Sequence, residues 1–220
     1  MIDYQKEGDL HIITMNDGST SICPDWQQRM LGILDVIDED CSQGSALVLT
    51  GVEKSFCNGL NLEKIMALSA EEMALFGRKM PEIFRRLLVL PCPTVAAING
   101  HAFAAGAFLA LSCDYRIMRE DRGWFCVSEV DVGVPISASM MGILRAKLPA
   151  TTIRDAVLTG KRYGAGEAVT AGIADSKASM ESLLEQAKDQ ARQLGTKEPG
   201  IFKTLKQTLF GPVAEALTAA

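Results

Sequence analysis

Thr94-Val95-Ala96-Ala97-Ile98-Asn99-Gly100-His101-Ala102-Phe103-Ala104-Ala105-Gly106 is the stretch on which the fold turns. Thr94 to Ile98 is β-branched at both ends and apolar within, as a strand buried on both faces must be. Asn99-Gly100 then signals a turn, and small residues open a helix over about residues 104–111. Extended to Met118, the segment is long and apolar enough to raise a membrane span. Yet Asn99, Gly100, His101 and Gly106 interrupt it, and Asp114 and Arg116 lie in its second half. A strand, turn and helix in a protein core is the better reading.

The same pattern occurs upstream, where Ala46 to Thr50 (ALVLT) is an apolar run ending at Gly51. Before it, Ile2 to Gln5 and Leu10 to Met15 predict a hairpin around Glu7-Gly8-Asp9. Pro24 suits a first helical position, and Trp26, Met30, Ile33, Leu34 and Ile37 recur at helical spacing. Residues 51–61 read as a loop. Ser69 with Glu72 fits a capping box for a helix to about Leu90, stopped by Pro91-Cys92-Pro93. Residues 115–118 and 123–127 read as further strands. Beyond Ile136 the periodicity turns helical, over 140–148, 151–158, 166–170, 180–194 and about 201–209. Strands alternating with helices, then a helical tail, predict an α/β fold: a core over residues 1–175 and a short helical region over 176–220.

Composition narrows the function. The 220 residues are 48% hydrophobic and 22% charged, enough to build an ordinary core. The net charge of −5, with no basic block, argues against nucleic acid, which needs clustered cations. The six cysteines form no Cys-x-x-Cys pair. With no signal peptide visible in MIDYQKEGD, the expected compartment is a reduced cytoplasm, away from membranes. Two histidines and no carboxylate pair at ligand spacing predict no metal site.

Three segments carry chemistry. Residues 51–62 (GVEKSFCNGLNL) and 98–106 (INGHAFAAG) each run from a buried strand into a small-residue turn that opens a helix. Such turns let backbone approach a ligand and leave N–H groups free for negative charge. Two side by side can aim two donors at one oxygen. Neither is a phosphate-cradling or dinucleotide-binding loop. In the third, residues 122–135 (RGWFCVSEVDVGVP), Glu129 follows an apolar run and precedes Gly133 and Pro135. Turned inward, burial would raise its pKa and make it a proton carrier.

Together, in order and spacing, these segments resemble the enoyl-CoA hydratase/isomerase (crotonase) family. The first resembles its Lys-x-Phe-(Cys/Ser)-x-Gly-x-(Asp/Asn)-Leu loop, the second Asn-Gly-x-Ala-x-(Gly/Ala)-(Gly/Ala)-Gly, the third Phe-x-x-(Pro/Ser)-Glu-Val-x-x-Gly-x-x-Pro. The resemblance runs from the opening hairpin to about Asp175. It implies a spiral core of repeated β-β-α units, a helical C-terminal region, and assembly as a trimer or pair of trimers.

By the resemblance, the backbone N–H groups of Leu60 and Ala105 form an oxyanion hole. Lys54, Phe56, Asn58 and Gly59 line the approach of the coenzyme A arm, and Glu129 is the acid/base. Coenzyme A enters as part of the substrate rather than as a resident cofactor. Arg78, Lys79, Arg85 and Arg86 join Lys54 as candidate cations for its phosphates. Hydratases carry a second glutamate where this chain has Phe108, placed here beside the acyl group. Hydration needs one group for the water and another for the proton, whereas moving a double bond from C3=C4 to C2=C3 needs a single base. Each oxyanion donor is worth about 3 kcal/mol.

The finer sequence, Asn-Gly-His-Ala-Phe-Ala-Ala-Gly and Ser-Glu-Val-Asp, is similar to plant-type Δ3,Δ2-enoyl-CoA isomerases, so isomerisation is expected. The alternatives are a hydratase-like or other crotonase-type reaction, including dehalogenation and hydrolysis. Because Leu60 and Ala105 are bulkier than usual, a non-catalytic acyl-CoA-binding relative is a third. His11, His101, Trp26 and Trp124 read as packing residues. Cys57 and Cys126 border the site without the setting that makes a thiol nucleophilic.

Overall fold

In the computed structural model, which describes residues 2–16, 21–42 and 44–218, the two buried runs lie side by side. A six-stranded sheet runs in the order β1 (Ile2–Glu7), β2 (Leu10–Met15), β3 (Ala46–Gly51), β5 (Thr94–Ile98), β7 (Tyr115–Arg119), β9 (Ser176–Ala178). Only β1 and β2 are antiparallel, as a hairpin requires; every other pairing is parallel. Both faces are covered, which is why β3 and β5 are apolar throughout rather than alternating. Ile13, Met15, Leu47, Leu49, Ala96 and Ile98 point into the main core. Leu10, Ile12, Ala46, Val48, Val95 and Ala97 point the other way, into a second cluster closed by Leu183, Ala187 and Ala191. Those three lie on α9 (Met180–Gly195).

A second, parallel sheet holds β4 (Ser55–Cys57), β6 (His101–Phe103) and β8 (Phe125–Cys126). Each of its strands follows a strand of the large sheet and precedes a helix. Thus β3 leads to β4 and then α2 (Leu62–Met66) and α3 (Ala70–Val89); β5 leads to β6 and α4 (Ala105–Ser112); β7 leads to β8 and α5 (Glu129–Val132). This is the spiral of β-β-α units. Helix α1 (Pro24–Asp40) begins with its proline in the first turn. The helices α6 (Ala138–Lys147), α7 (Ala150–Thr159) and α8 (Ala165–Thr170) precede β9, and α10 (Pro199–Thr218) packs against α3 and α6.

The Ser69–Glu72 capping box is present, with Glu72 N–H donating to Ser69 Oγ at 3.2 Å and Ser69 N–H to Glu72 Oε2 at 2.8 Å. Four expectations change. Residues 51–61 and 99–103 are not loops alone but contain β4 and β6, strands too short to show a period of two. The strand read over 123–127 shrinks to β8. The last helix runs Pro199–Thr218 rather than 201–209 and carries Pro212 inside it, a residue that removes one intrahelical hydrogen bond. Burial of Phe210, Ala214 and Leu217 holds the helix past the proline. Among the described residues no helix is long and apolar enough to cross a membrane.

Candidate active site

Because β4, β6 and β8 pair in parallel, the turns that follow them leave the same end of the small sheet. Leu60 comes three residues after β4, Ala105 two after β6, and Glu129 three after β8. The topology therefore brings all three chemical segments to one edge.

The first turn is fixed from outside by Ile22. Ile22 N–H donates to Gly59 O and Asn61 N–H donates to Ile22 O, both at 2.8 Å. In such a parallel bridge the amides on either side of Leu60 are used, and Leu60's own N–H points away from Ile22. Gly59 has φ +85°, and a Cβ there would lie 3.1 Å from Phe103 O and 3.6 Å from the Ala105 nitrogen. The two turns are thus in direct contact. At Gly106 a Cβ would sit 2.1 Å from Cys57 O, so only glycine lets α4 begin so close to β4.

Ala105 is the first residue of α4, whose early N–H groups have no intrahelical acceptor. Ala104 before it has φ 48° and ψ −120°, a strained conformation for a residue with a Cβ, costing about 1–3 kcal/mol. Its N–H donates to Cys126 O at 3.0 Å, and its carbonyl accepts from Ala107 at 2.8 Å and Phe108 at 3.2 Å. The strained residue is what turns the next amide out of the sheet.

Glu129 opens α5. Its Oε2 is buried with no hydrogen-bond partner, and burial raises its pKa, opposed by its own backbone N–H. A carboxylate oxygen removed from water and left unpaired is costly, and groups so perturbed cluster at functional sites.

The remaining predicted residues divide. Lys54 and Asn58 are exposed beside the first turn, with Asn58 Nδ2 donating to Ser55 Oγ at 2.9 Å. Phe56 is fully buried in the main core, so any part it takes in ligand approach falls to its backbone, not its ring. Phe108 is fully buried, its ring centroid 6.2 Å from that of Phe84. Two of the candidate phosphate cations are committed elsewhere: Arg85 makes a two-pronged pair with Glu82, and Arg86 pairs with Asp35 and Asp38 of α1. Lys79 donates to Gln28 at 2.9 Å.

Trp26 is core, but Trp124 is not; it is 43% exposed and packs on His101, which also stacks on Phe103. His11 is buried and hydrogen-bonds Tyr4 at 2.9 Å. Burial pushes the Cys126 thiol up to about 11, and its Sγ donates to Gly160 O, so it is no nucleophile. Among the described residues no group of three or more His, Cys, Asp and Glu could hold a metal ion. Sequence inspection missed Ile22 and Ala104, which orient the two amides; both act through backbone geometry, and neither side chain advertises it.

A parallel-sheet α/β spiral that delivers two turn amides and a half-buried glutamate to one edge defines the crotonase class of fold. The structure matches that of a probable enoyl-CoA hydratase from Mycobacterium tuberculosis H37Rv with a TM-score of 0.92, at 27% identity over 99% of this chain and 92% of that one. The sequence profile described as "Enoyl-CoA hydratase/isomerase" matches residues 5–220, so the chain belongs to the enoyl-CoA hydratase/isomerase family. Two enoyl-CoA delta isomerases of Arabidopsis thaliana, numbered 3 and 2 (the latter peroxisomal), are 33% and 34% identical to it. Each alignment covers 96% of this chain and 92% of the relative.

Proposed function

We propose that this family member is a Δ3,Δ2-enoyl-CoA isomerase in which Glu129 takes a proton from C2 of the acyl thioester and returns it to C4. The N–H groups of Leu60 and Ala105 hold the thioester oxygen while it carries the negative charge of the dienolate, each contributing about 3 kcal/mol. The carrying observation is the buried, unpartnered Oε2 of Glu129 on an edge shared with those two turns. Its raised pKa suits a group that must serve as base and then acid. Phe108, apolar and enclosed, occupies the position of the hydratases' second glutamate, so no second carboxylate is offered there for water. The isomerase names of the Arabidopsis relatives agree with this choice. Lys54, Asn58 and Gly59 would flank the coenzyme A arm, and the working assembly would be a trimer or pair of trimers, which light scattering tests.

A hydratase-like reaction is the second reading, favoured by the name of another relative, a short-chain-enoyl-CoA hydratase of Clostridium acetobutylicum that is 28% identical over 93% of this chain. Assaying 3-enoyl-CoA and 2-enoyl-CoA side by side separates the two. Conversion of the 3-enoyl compound alone supports isomerisation; rapid hydration of the 2-enoyl compound replaces it. Glu129→Gln should bind acyl-CoA but lose turnover by about 10²–10⁴-fold. Retained turnover would leave a different base, or none, in charge.

A further inference from the structure

Residues 21–23 lead into α1 and touch the first turn one after another. Asn61 Nδ2 donates to Ser21 Oγ at 3.2 Å, and Ile22 bonds the backbone on both sides of Leu60. Cys23 makes the third contact: Lys64 Nζ donates to its Sγ at 3.9 Å. Lys64 is placed by the start of α2, where its backbone N–H donates to Asn61 Oδ1 at 3.1 Å. A thiol and an amine from distant parts of the chain are thus held together beside the turn that bears Leu60.

The setting suits chemistry at sulfur. Cys23 is the N-cap of α1, yet its side chain makes no cap hydrogen bond and it is in no disulfide, so the sulfur is not spent on the helix. Thiols react at helix N-termini and beside ammonium groups, and Cys23 has both. Only 5% of Cys23 is exposed, whereas Lys64 is an exposed residue. So enclosed a thiol shuts out a bulky thioester or thiol reagent but admits a water-sized oxidant, and the exposed lysine stem has room to turn toward it. Other cysteines are used differently. Cys113 and Cys126 each donate to a backbone carbonyl, and burial pushes them up to about 12 and about 11.

We propose that Cys23 and Lys64 are an oxidative modification site, closing to a sulfur–nitrogen cross-link when a peroxide-class oxidant reaches Cys23. Cys23, as the thiolate, attacks a peroxide oxygen, giving a sulfenic acid and releasing hydroxide. The hydroxide takes a proton from the Lys64 ammonium and becomes water. The freed amine then attacks the Cys23 sulfur, forming the S–N bond of a sulfenamide, and the sulfenic oxygen leaves as a second water. Sulfur gives up two electrons, and hydrogen peroxide is reduced. The bond closes a loop of about 40 residues, a size at which cross-linking restricts the unfolded chain strongly. In the folded protein it clamps residues 21–23 onto the turn whose backbone carries the Leu60 amide.

The test exposes the whole folded protein to hydrogen peroxide, then unfolds it, blocks remaining thiols with iodoacetamide, and maps tryptic peptides by mass spectrometry. The expected product is lighter by two hydrogens and joins the Cys23 peptide to one left uncut after Lys64. Cys57 in that second peptide still carries its alkyl label, and a thiol reductant reverses the link. Lys64→Arg keeps the positive charge without the amine and should stop at a Cys23 sulfenic acid trapped by dimedone. Cys23→Ser should leave Lys64 unmodified and cleavable. A Cys23–Cys57 disulfide, a bridge that retains an oxygen, over-oxidised Cys23 beside a free Lys64, or an unreacted Cys23 would each overturn the proposal. The wild-type peptide map decides it even if a variant fails to fold.

Discussion

Ala104 donates its backbone N–H to the carbonyl of Cys126 at 3.0 Å, tying the residue just before one turn amide to the strand that ends three residues short of Glu129. The positions of amide and carboxylate are therefore not independent. Both are referred to one small sheet, and that sheet has only two or three residues per strand.

The proposed chemistry has a pH signature. Glu129 must be ionised to accept the proton from C2, and burial raises its pKa. Activity, as kcat/KM on a 3-enoyl thioester, should fall as pH drops through that raised value, above the ordinary glutamate pKa of about 4.3. A pH–rate profile checks this. An acidic limb at or below the ordinary range would take Glu129 out of the role of base.

The same shift makes a stability prediction. The folded pKa of Glu129 lies above its unfolded value, so folding favours the protonated form. That contribution is complete below the unfolded pKa and is lost as pH rises through the folded one. At neutral pH the enzyme carries the ionised group at a cost. Glu129→Gln should therefore melt higher than the parent at pH 7, and the gap should close on acidification. Thermal melts of both proteins across pH 4–7.5 measure it; a lower melting point for the variant at pH 7 would mean the carboxylate is satisfied by a partner.

Contact between the turns can be challenged at Gly106. A methyl group there would meet Cys57 O at 2.1 Å, and both partners are backbone, so the strain has nowhere to go but into separating β4 from α4. Gly106→Ala should cost about 1–3 kcal/mol of stability, as overpacking does, and should also depress turnover, because the Leu60 and Ala105 amides would move apart. Gly142→Ala is the control, since its Cβ would meet only the Val213 side chain, at 3.4 Å from Cγ1 and 4.0 Å from Cγ2, both ordinary contacts. Denaturant melts and turnover measured on the pair would show equal losses if the close approach is irrelevant.

Much of this was legible in the sequence, and the illegible part has a physical reason. Continuous apolar runs betray strands covered on both faces, so β3 and β5 are plain, as is the Ser69–Glu72 cap. The small sheet is not, because Ser55–Cys57 and Phe125–Cys126 are too short to set a period. Glu129, Leu60 and Ala105 could be picked out through motif order, but not the way Ile22 and Ala104 aim the two amides. Those are hydrogen bonds between backbone groups, which any side chain can make. Trp124 misled because large aromatics are so often core, while here it covers His101 at the surface.

The tail offers the last test. Lys206 of α10 lies 2.7 Å from Asp114 Oδ2, with the two side chains only 3% and 9% exposed. The same carboxylate accepts from Thr94 N–H at 2.9 Å and Thr94 Oγ1 at 3.0 Å, at the start of β5. One ammonium therefore pins the final helix to a central strand. Lys206→Met leaves the aspartate buried with neutral donors alone, which should cost about 3–5 kcal/mol, as removing one partner of a buried pair does. Adding Asp114→Asn should recover part of that loss, because no unpaired charge then remains. Urea melts of the two single variants and the double variant give the coupling, and hydrogen exchange shows whether α10 opens first. Were Lys206→Met to cost well under 1 kcal/mol, the helix would be held by its apolar contacts with α3, and the pair would be dispensable.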